Sequence, residues 1–173
     1  MKQNEFHIRL ATPNDGGSVA EIYNHYIANS TATFAEEPYP PEKMAEKIRR
    51  IREEHGVYLL VEAGDGAVAG FACADAFRNL GANRLAELSI YFAPPYTGRG
   101  WGEPLLKQLI AELRNDRFYA GLMAVITADN GPSLRFHRRF GFLDAGQWKN
   151  AACKHSRWCD VQVLQFPLFT PVP

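Results

Sequence analysis

Between Thr97 and Gly102 the chain reads TGRGWG, three glycines on alternate positions running into the leucine-rich segment EPLLKQLI. A helix start leaves backbone N–H groups without intrahelical acceptors, and glycine lets such a turn take positive φ and approach a ligand closely. The helix dipole adds partial positive charge at the same place, so the chemistry on offer is the binding of a phosphate or pyrophosphate. Pro104 keeps this register, because proline costs little in the first turn of a helix. Spacing excludes two nucleotide motifs: no lysine followed by Ser or Thr completes a P-loop, and Glu103 stands where a dinucleotide fingerprint needs its third glycine. A glycine-rich connection without any ligand is the plain alternative.

Two neighbouring stretches carry further candidates. RLAELSIYFA (84 to 93) alternates, placing Glu87, Ser89 and Tyr91 on one face and Ala86, Leu88, Ile90 and Phe92 on the other. Burial raises the pKa of a carboxyl group, which would fit Glu87 for accepting a proton; the alternative is an exposed carboxylate in a cross-strand pair. In ADNGPSLRFHRRFGF, Asp129 or Asn130 suits a helix N-cap, Pro132 its first turn and Gly141 the residue after its end. His137, with an ordinary pKa of ~6.5, can exchange protons at neutral pH, and its place between Phe136 and Arg138 equally fits a structural role.

The elements that must hold these residues follow from periodicity. FHIRLA alternates as a strand, and Thr12 before Pro13 predicts a helix start with Val19, Ile22, Tyr23, Tyr26 and Ile27 on its apolar stripe. The proline-rich STATFAEEPYPP is a loop, and EKMAEKIRRIREEHG a second helix. VYLLVEA and AVAGFACADA flank a glycine turn as a hairpin, and the Glu87 strand is the third of this run. A helix after the glycine turn, the strand GLMAVIT, the short helix near Asn130 and two apolar alternating strands complete the order. That pattern predicts one α+β domain over 1–173, a single mixed and mostly antiparallel sheet of about seven strands flanked by about four helices.

Composition narrows the partners. The 19 basic and 19 acidic residues balance, so no bulk field recommends nucleic acid or an anionic membrane. No run approaches the ~20 apolar residues that span a bilayer, and the expected location is cytoplasmic. Cys73, Cys153 and Cys159 are odd in number and irregularly spaced, a poor disulfide framework, and no set of four ligands suggests a metal.

The strand, the glycine turn and the Asn130 helix in this order resemble the GNAT superfamily of N-acetyltransferases. Its turn reads [QR]-x-x-G-x-[GA], matched by Thr97, Gly98, Arg99, Gly100, Trp101 and Gly102 in all but the first residue. IYNHYIANSTATFAEEP, LAELSIYFAPPYTGRGWG, ADNGPSLRFHRRFGF and CKHSRWCDVQVLQFPL together extend the resemblance over nearly the whole chain, to the phosphinothricin (methionine sulfoximine) acetyltransferase branch. The resemblance implies acetyl-CoA as co-substrate, with the turn amides on its pyrophosphate and the backbone of Ile90, Tyr91 and Phe92 on its pantetheine. Asn130 and Ser133 also resemble CoA contacts. Thr97 shortens a donor the family usually supplies, and Arg99 is its candidate substitute.

The same resemblance gives Glu87 the role of general base toward an α-amine and puts His137 where many relatives carry a tyrosine acid. It implies a small amino acid analogue as acceptor, with Arg78 and Arg84 for its carboxylate and Phe34 and Ser89 in its pocket. Lys154 and His155 fall near that pocket, with solvent exposure as their plain expectation. Family members commonly form homodimers. A peptide N-terminus or a polyamine is the alternative acceptor, and a non-catalytic acyl-CoA-binding module the alternative outside enzymes.

Overall fold

A computed structural model describes residues 5–77 and 84–169 of the 173-residue chain. In chain order the elements are β1 (Phe6–Leu10), α1 (Gly16–Asn29), α2 (Pro41–Glu53), β2 (Val57–Ala63), β3 (Val68–Ala76), β4 (Leu85–Phe92), α3 (Gly102–Asp116), β5 (Gly121–Thr127), α4 (Gly131–Phe140), β6 (Leu143–Lys154) and β7 (Arg157–Pro167). The seven strands form one sheet in the order β1-β2-β3-β4-β5-β7-β6, antiparallel everywhere except between β4 and β5. The α+β prediction, with its strand and helix order, is met.

Helices cover both faces because the central strands are apolar on both. From β2, Leu59 and Val61 join Leu105, Leu106 and Leu109 of α3 in one core, while Tyr58 and Leu60 join Val19 and Ile22 of α1 and Met44, Ile48 and Ile51 of α2 in the other. Each such side chain, taken fully out of water, contributes roughly 1.5–3 kcal/mol. The two cores press on β4 from opposite sides, so its register against β3 is fixed.

Two expectations shift. Pro13–Asp15 form a 3-10 turn, and α1 begins only at Gly16. The Asp15 carboxylate accepts the Thr12 N–H at 2.7 Å and the Arg9 guanidinium at 2.7 and 2.9 Å, which closes that turn before the helix proper. β6 does close the sheet but is almost entirely exposed, as an edge strand with irregular register at Asp144/Gly146 and at Trp148/Ala152. Its apolar residues cover β7 edge-on and leave Leu143 at 67% and, on β7, Trp158 at 66% exposure.

Candidate active site

β4 and β5 pair through only three positions, Leu85 with Gly121, Ala86 with Leu122 and Glu87 with Met123. β4 continues along β3 as far as Phe92 and β5 along β7 as far as Thr127, so beyond Glu87 the two strands part. The opening is a cavity of ≈ 520 Å³ with Leu88 to Phe92 on one wall, Ala124 to Thr127 on the other, and the glycine turn and α4 at its mouth.

Alternation along β4 decides which backbone groups face this opening. Leu85 O and Ala93 N bond Phe77 and Ala69 on the β3 side, so the odd-numbered residues between them turn their N–H and C=O to β3. Leu88, Ile90 and Phe92 therefore present theirs to the split. Of the three expected backbone donors and acceptors, Ile90 and Phe92 qualify, with the Phe92 carbonyl held by the Tyr26 hydroxyl at 2.7 Å. Tyr91 does not, because its backbone belongs to β3; Leu88, which the motif did not single out, does. An extended amide ligand can pair with such an edge as an added strand.

The glycine turn has the backbone conformation that an anion cradle requires. Gly98 and Gly100 take φ of +74° and +82°, and a Cβ on either would meet nothing within 4 Å, so the space above the turn is open. No side chain among the described residues caps α3 at Trp101, which leaves its first N–H groups to a ligand. Trp101 itself is buried, its ring 5.1 Å from Phe6 and 5.7 Å from Tyr96, so the turn takes backbone from it. The Thr97 hydroxyl donates to Pro94 O at 2.9 Å, and Arg99 Nε to Pro95 O at 3.1 Å with its guanidinium over the Tyr96 ring. Both side chains stabilise the turn itself.

On α4, beside the glycine turn, Asn130 Oδ1 accepts the Ser133 N–H at 3.2 Å; of the two candidate caps, Asn130 is the one used. Asp129 instead pairs with Arg157. Asn130, Ser133 and His137 all line the cavity. His137 is 3% exposed, and its Nδ1 lies 2.8 Å from Ser133 O, a bond that places the proton on Nδ1 and leaves Nε2 an acceptor. Burial lowers its pKa, so the ring is neutral at neutral pH and poorly suited to donate a proton into the cavity.

Glu87 sits at the apex of the split, half-buried, with Ser89 and Tyr91 on the same face further in. At Tyr91 that face is covered by residues 30–36, tied down at several points. Tyr91 Oη donates to Ala32 O at 2.8 Å, Tyr23 Oη and Thr33 Oγ1 lie 2.6 Å apart, and the hydroxyls of Thr31 and Thr127 face each other at 3.4 Å. Lys154, expected in solvent, is 2% exposed, and its ammonium donates to Thr33 O at 2.8 Å and Ala35 O at 2.6 Å. Between those two carbonyls Phe34 stands 39% exposed. A lysine at the end of β6, followed by His155, Ser156 and Arg157, gave the sequence no signal of this anchoring role.

Of the arginine pair, only Arg84 can be placed. Arg78 lies outside the described residues, and the Arg84 guanidinium rests 4.3 Å over the Phe118 ring, at the base of β5 rather than in the cavity. Among the described residues no group of three or more His, Cys, Asp or Glu could hold a metal ion, and no helix is long and apolar enough to cross a membrane.

The sequence profile of the acetyltransferase (GNAT) family matches residues 19–142. A phosphinothricin N-acetyltransferase of Alcaligenes faecalis is 32% identical over 162 residues, 93% of this chain and 82% of that protein. An L-methionine sulfoximine/L-methionine sulfone acetyltransferase of Salmonella typhimurium is 30% identical over 162 residues, 93% and 94% of the two chains. The crystal structure of a phosphinothricin acetyltransferase from Sinorhizobium meliloti in complex with acetyl-CoA superposes with a TM-score of 0.87, at 34% identity, covering 94% of this chain and 88% of that one. With a split sheet, an uncapped glycine turn and a carboxylate at the apex, this chain belongs to the acetyltransferase (GNAT) family and is an acetyl-CoA-dependent N-acetyltransferase.

Proposed function

We propose that the protein acetylates the α-amine of a small amino acid analogue of the phosphinothricin, methionine sulfoximine or methionine sulfone type by direct attack on acetyl-CoA, in the cytoplasm and as a homodimer. The observation that carries the residue assignment is the position of Glu87, the last residue of β4 paired with β5 before the strands part. A base there meets the point where an amine entering from the α1/α2 face reaches a thioester lying along the β4 edge.

The acceptor amine arrives as an ammonium, with a reference pKa of ~7.7–8.0, and cannot attack until it loses a proton. Glu87 takes that proton, directly or through water. The neutral nitrogen then attacks the thioester carbonyl; the new C–N bond forms as the C–S bond breaks, and the nitrogen's second proton leaves with the departing thiolate. A thiol of pKa near ~8.5, by analogy with cysteine, needs little help, which agrees with a neutral His137 serving as wall rather than acid. The amides of Gly98 to Gly102 hold the pyrophosphate, Leu88, Ile90 and the Phe92 N–H hold the pantetheine, and Phe34 and Ser89 border the acceptor. The backbone donors of the β4 edge are also available to a thioester oxyanion. Cys73, Cys153 and Cys159 form no covalent intermediate; Cys73 and Cys159 are buried and Cys153 lies on the exposed edge strand.

Steady-state kinetics with acetyl-CoA and a panel of phosphinothricin, methionine sulfoximine, methionine sulfone, a peptide N-terminus and a polyamine test the acceptor class. Turnover confined to the first three supports it; turnover of only the last two transfers the assignment to them. Sedimentation of the wild type and of Trp158→Ser tests the homodimer, for which exposed Leu143 and Trp158 are the support.

A further inference from the structure

On the face of β4 that carries Glu87, the neighbour directly opposite on β3 is Asp75. Cross-strand partners of an antiparallel pair stand with Cβ atoms about 4.5–5.5 Å apart, and like charges so placed are destabilising. Asp75 is in turn gripped by Arg50 of α2, whose Nη1 and Nη2 lie 3.3 and 2.5 Å from its two carboxylate oxygens. Arg50 also meets Glu54 at 2.8 Å, and the Ala76 N–H donates to Asp75 Oδ1 at 2.8 Å. Among the described residues, the other titratable groups facing this cluster include Lys47 of α2, Tyr23 of α1, Tyr58 of β2, Cys73 of β3, Tyr91 of β4 itself and Tyr119 just before β5, while β5 offers Met123 in register with Glu87.

We propose that Asp75 and Arg50 are a positioning pair for the catalytic carboxylate, Asp75 disfavouring the charge on Glu87 and Arg50 limiting that effect. The proposal rests on Glu87 acting as the base. A carboxylate beside another carboxylate holds its proton to higher pH, and a guanidinium beside them reverses the effect. The useful base is neither too weak nor already protonated at working pH, so an adjustable neighbour sets it without touching substrate. The geometry gives a mechanical link as well. Arg50 ties α2 to β3 at the level of Glu87, so the helix covering the acceptor face is held in register with the strand bearing the base.

The consequence is a pair of shifts with opposite sign. In Arg50→Met the Asp75 charge is uncompensated, and the acid limb of kcat/KM for the acceptor, at saturating acetyl-CoA, moves up by about 0.5–1 pH unit. In Asp75→Asn the Arg50 charge is uncompensated and the limb moves down by a similar amount. Arg50→Lys, which keeps the charge, returns it close to the wild-type position, and thermal melts of each variant separate these shifts from loss of fold. A merely structural pair would lower activity in both variants without moving the limb in opposite directions. Unmoved limbs, or limbs moving the same way, would overturn the pair while Glu87→Gln still abolishes the limb; a Glu87→Gln enzyme that retains the wild-type limb would overturn the base and the pair together.

Discussion

The two lips of the cavity are built from different material. The glycine turn offers backbone: Gly98 and Gly100 at positive φ, open space above them, and a helix start without a side-chain cap. The second lip, residues 30–36 over the Tyr91 end of β4, is held by side chains from far along the chain, with Tyr23 and Tyr91 at one end and Lys154, over a hundred residues away in sequence, at the other. A backbone site depends on local conformation and tolerates most side-chain changes. A side-chain site depends on distant contacts, and its failure should appear in one substrate and not the other.

The sharpest way to break the first lip is to remove a left-handed glycine. Gly100→Val places a β-branched residue at φ +82°, in space that is open, so its cost is conformational, of order 1–3 kcal/mol. We expect KM for acetyl-CoA to rise ~10-fold or more in initial-rate kinetics, with KM for the acceptor little changed.

Lys154→Met is the counterpart at the second lip. It leaves two carbonyls without their donor, a cost of about 1–3 kcal/mol for each buried acceptor so orphaned. We expect melting to occur earlier and the acceptor KM to rise ~10-fold while that of acetyl-CoA holds. Equal changes in both constants would erase the distinction between the lips.

A smaller effect comes from the start of α1, the helix whose far end delivers residues 30–36. Arg9 lowers the Asp15 carboxyl to about 2. Because the folded value lies below the unfolded one, its contribution is complete above about pH 4 and is lost as pH falls toward 2. Asp15→Asn should therefore cost about 1–2 kcal/mol in urea unfolding at pH 7, with the difference from wild type shrinking under acid. The smallest change is Thr97→Val: the hydroxyl serves only its own turn, so acetyl-CoA KM should move less than ~3-fold.

The same contrast explains what could be read without coordinates. Local signals carried the fold: the 3.6-residue stripes of α1 and α2, the alternation of β4, and the Asn130, Pro132 and Gly141 punctuation of α4 all correspond to observed elements. They carried the turn too, since glycine spacing encodes backbone conformation. They did not carry the parting of β4 from β5, which arises from pairing between strands, nor the roles of Lys154 and Arg50, whose partners lie 119 and 25 residues away. Arg84 shows the reverse error: an arginine of suitable type and position that the fold spends on Phe118. The exposure of β6 was likewise hidden, because apolar alternation reports a face that can be buried, whether or not anything covers it.

The base assignment is tested most directly by measuring CoA binding and acetyl transfer in one preparation of Glu87→Gln. The calorimetric Kd for acetyl-CoA should stay within a factor of about two of wild type and kcat should fall ~10²-fold or more, with the acid limb of the rate profile gone. A Glu87→Gln enzyme that turns over at the wild-type rate with the limb unmoved would contradict it.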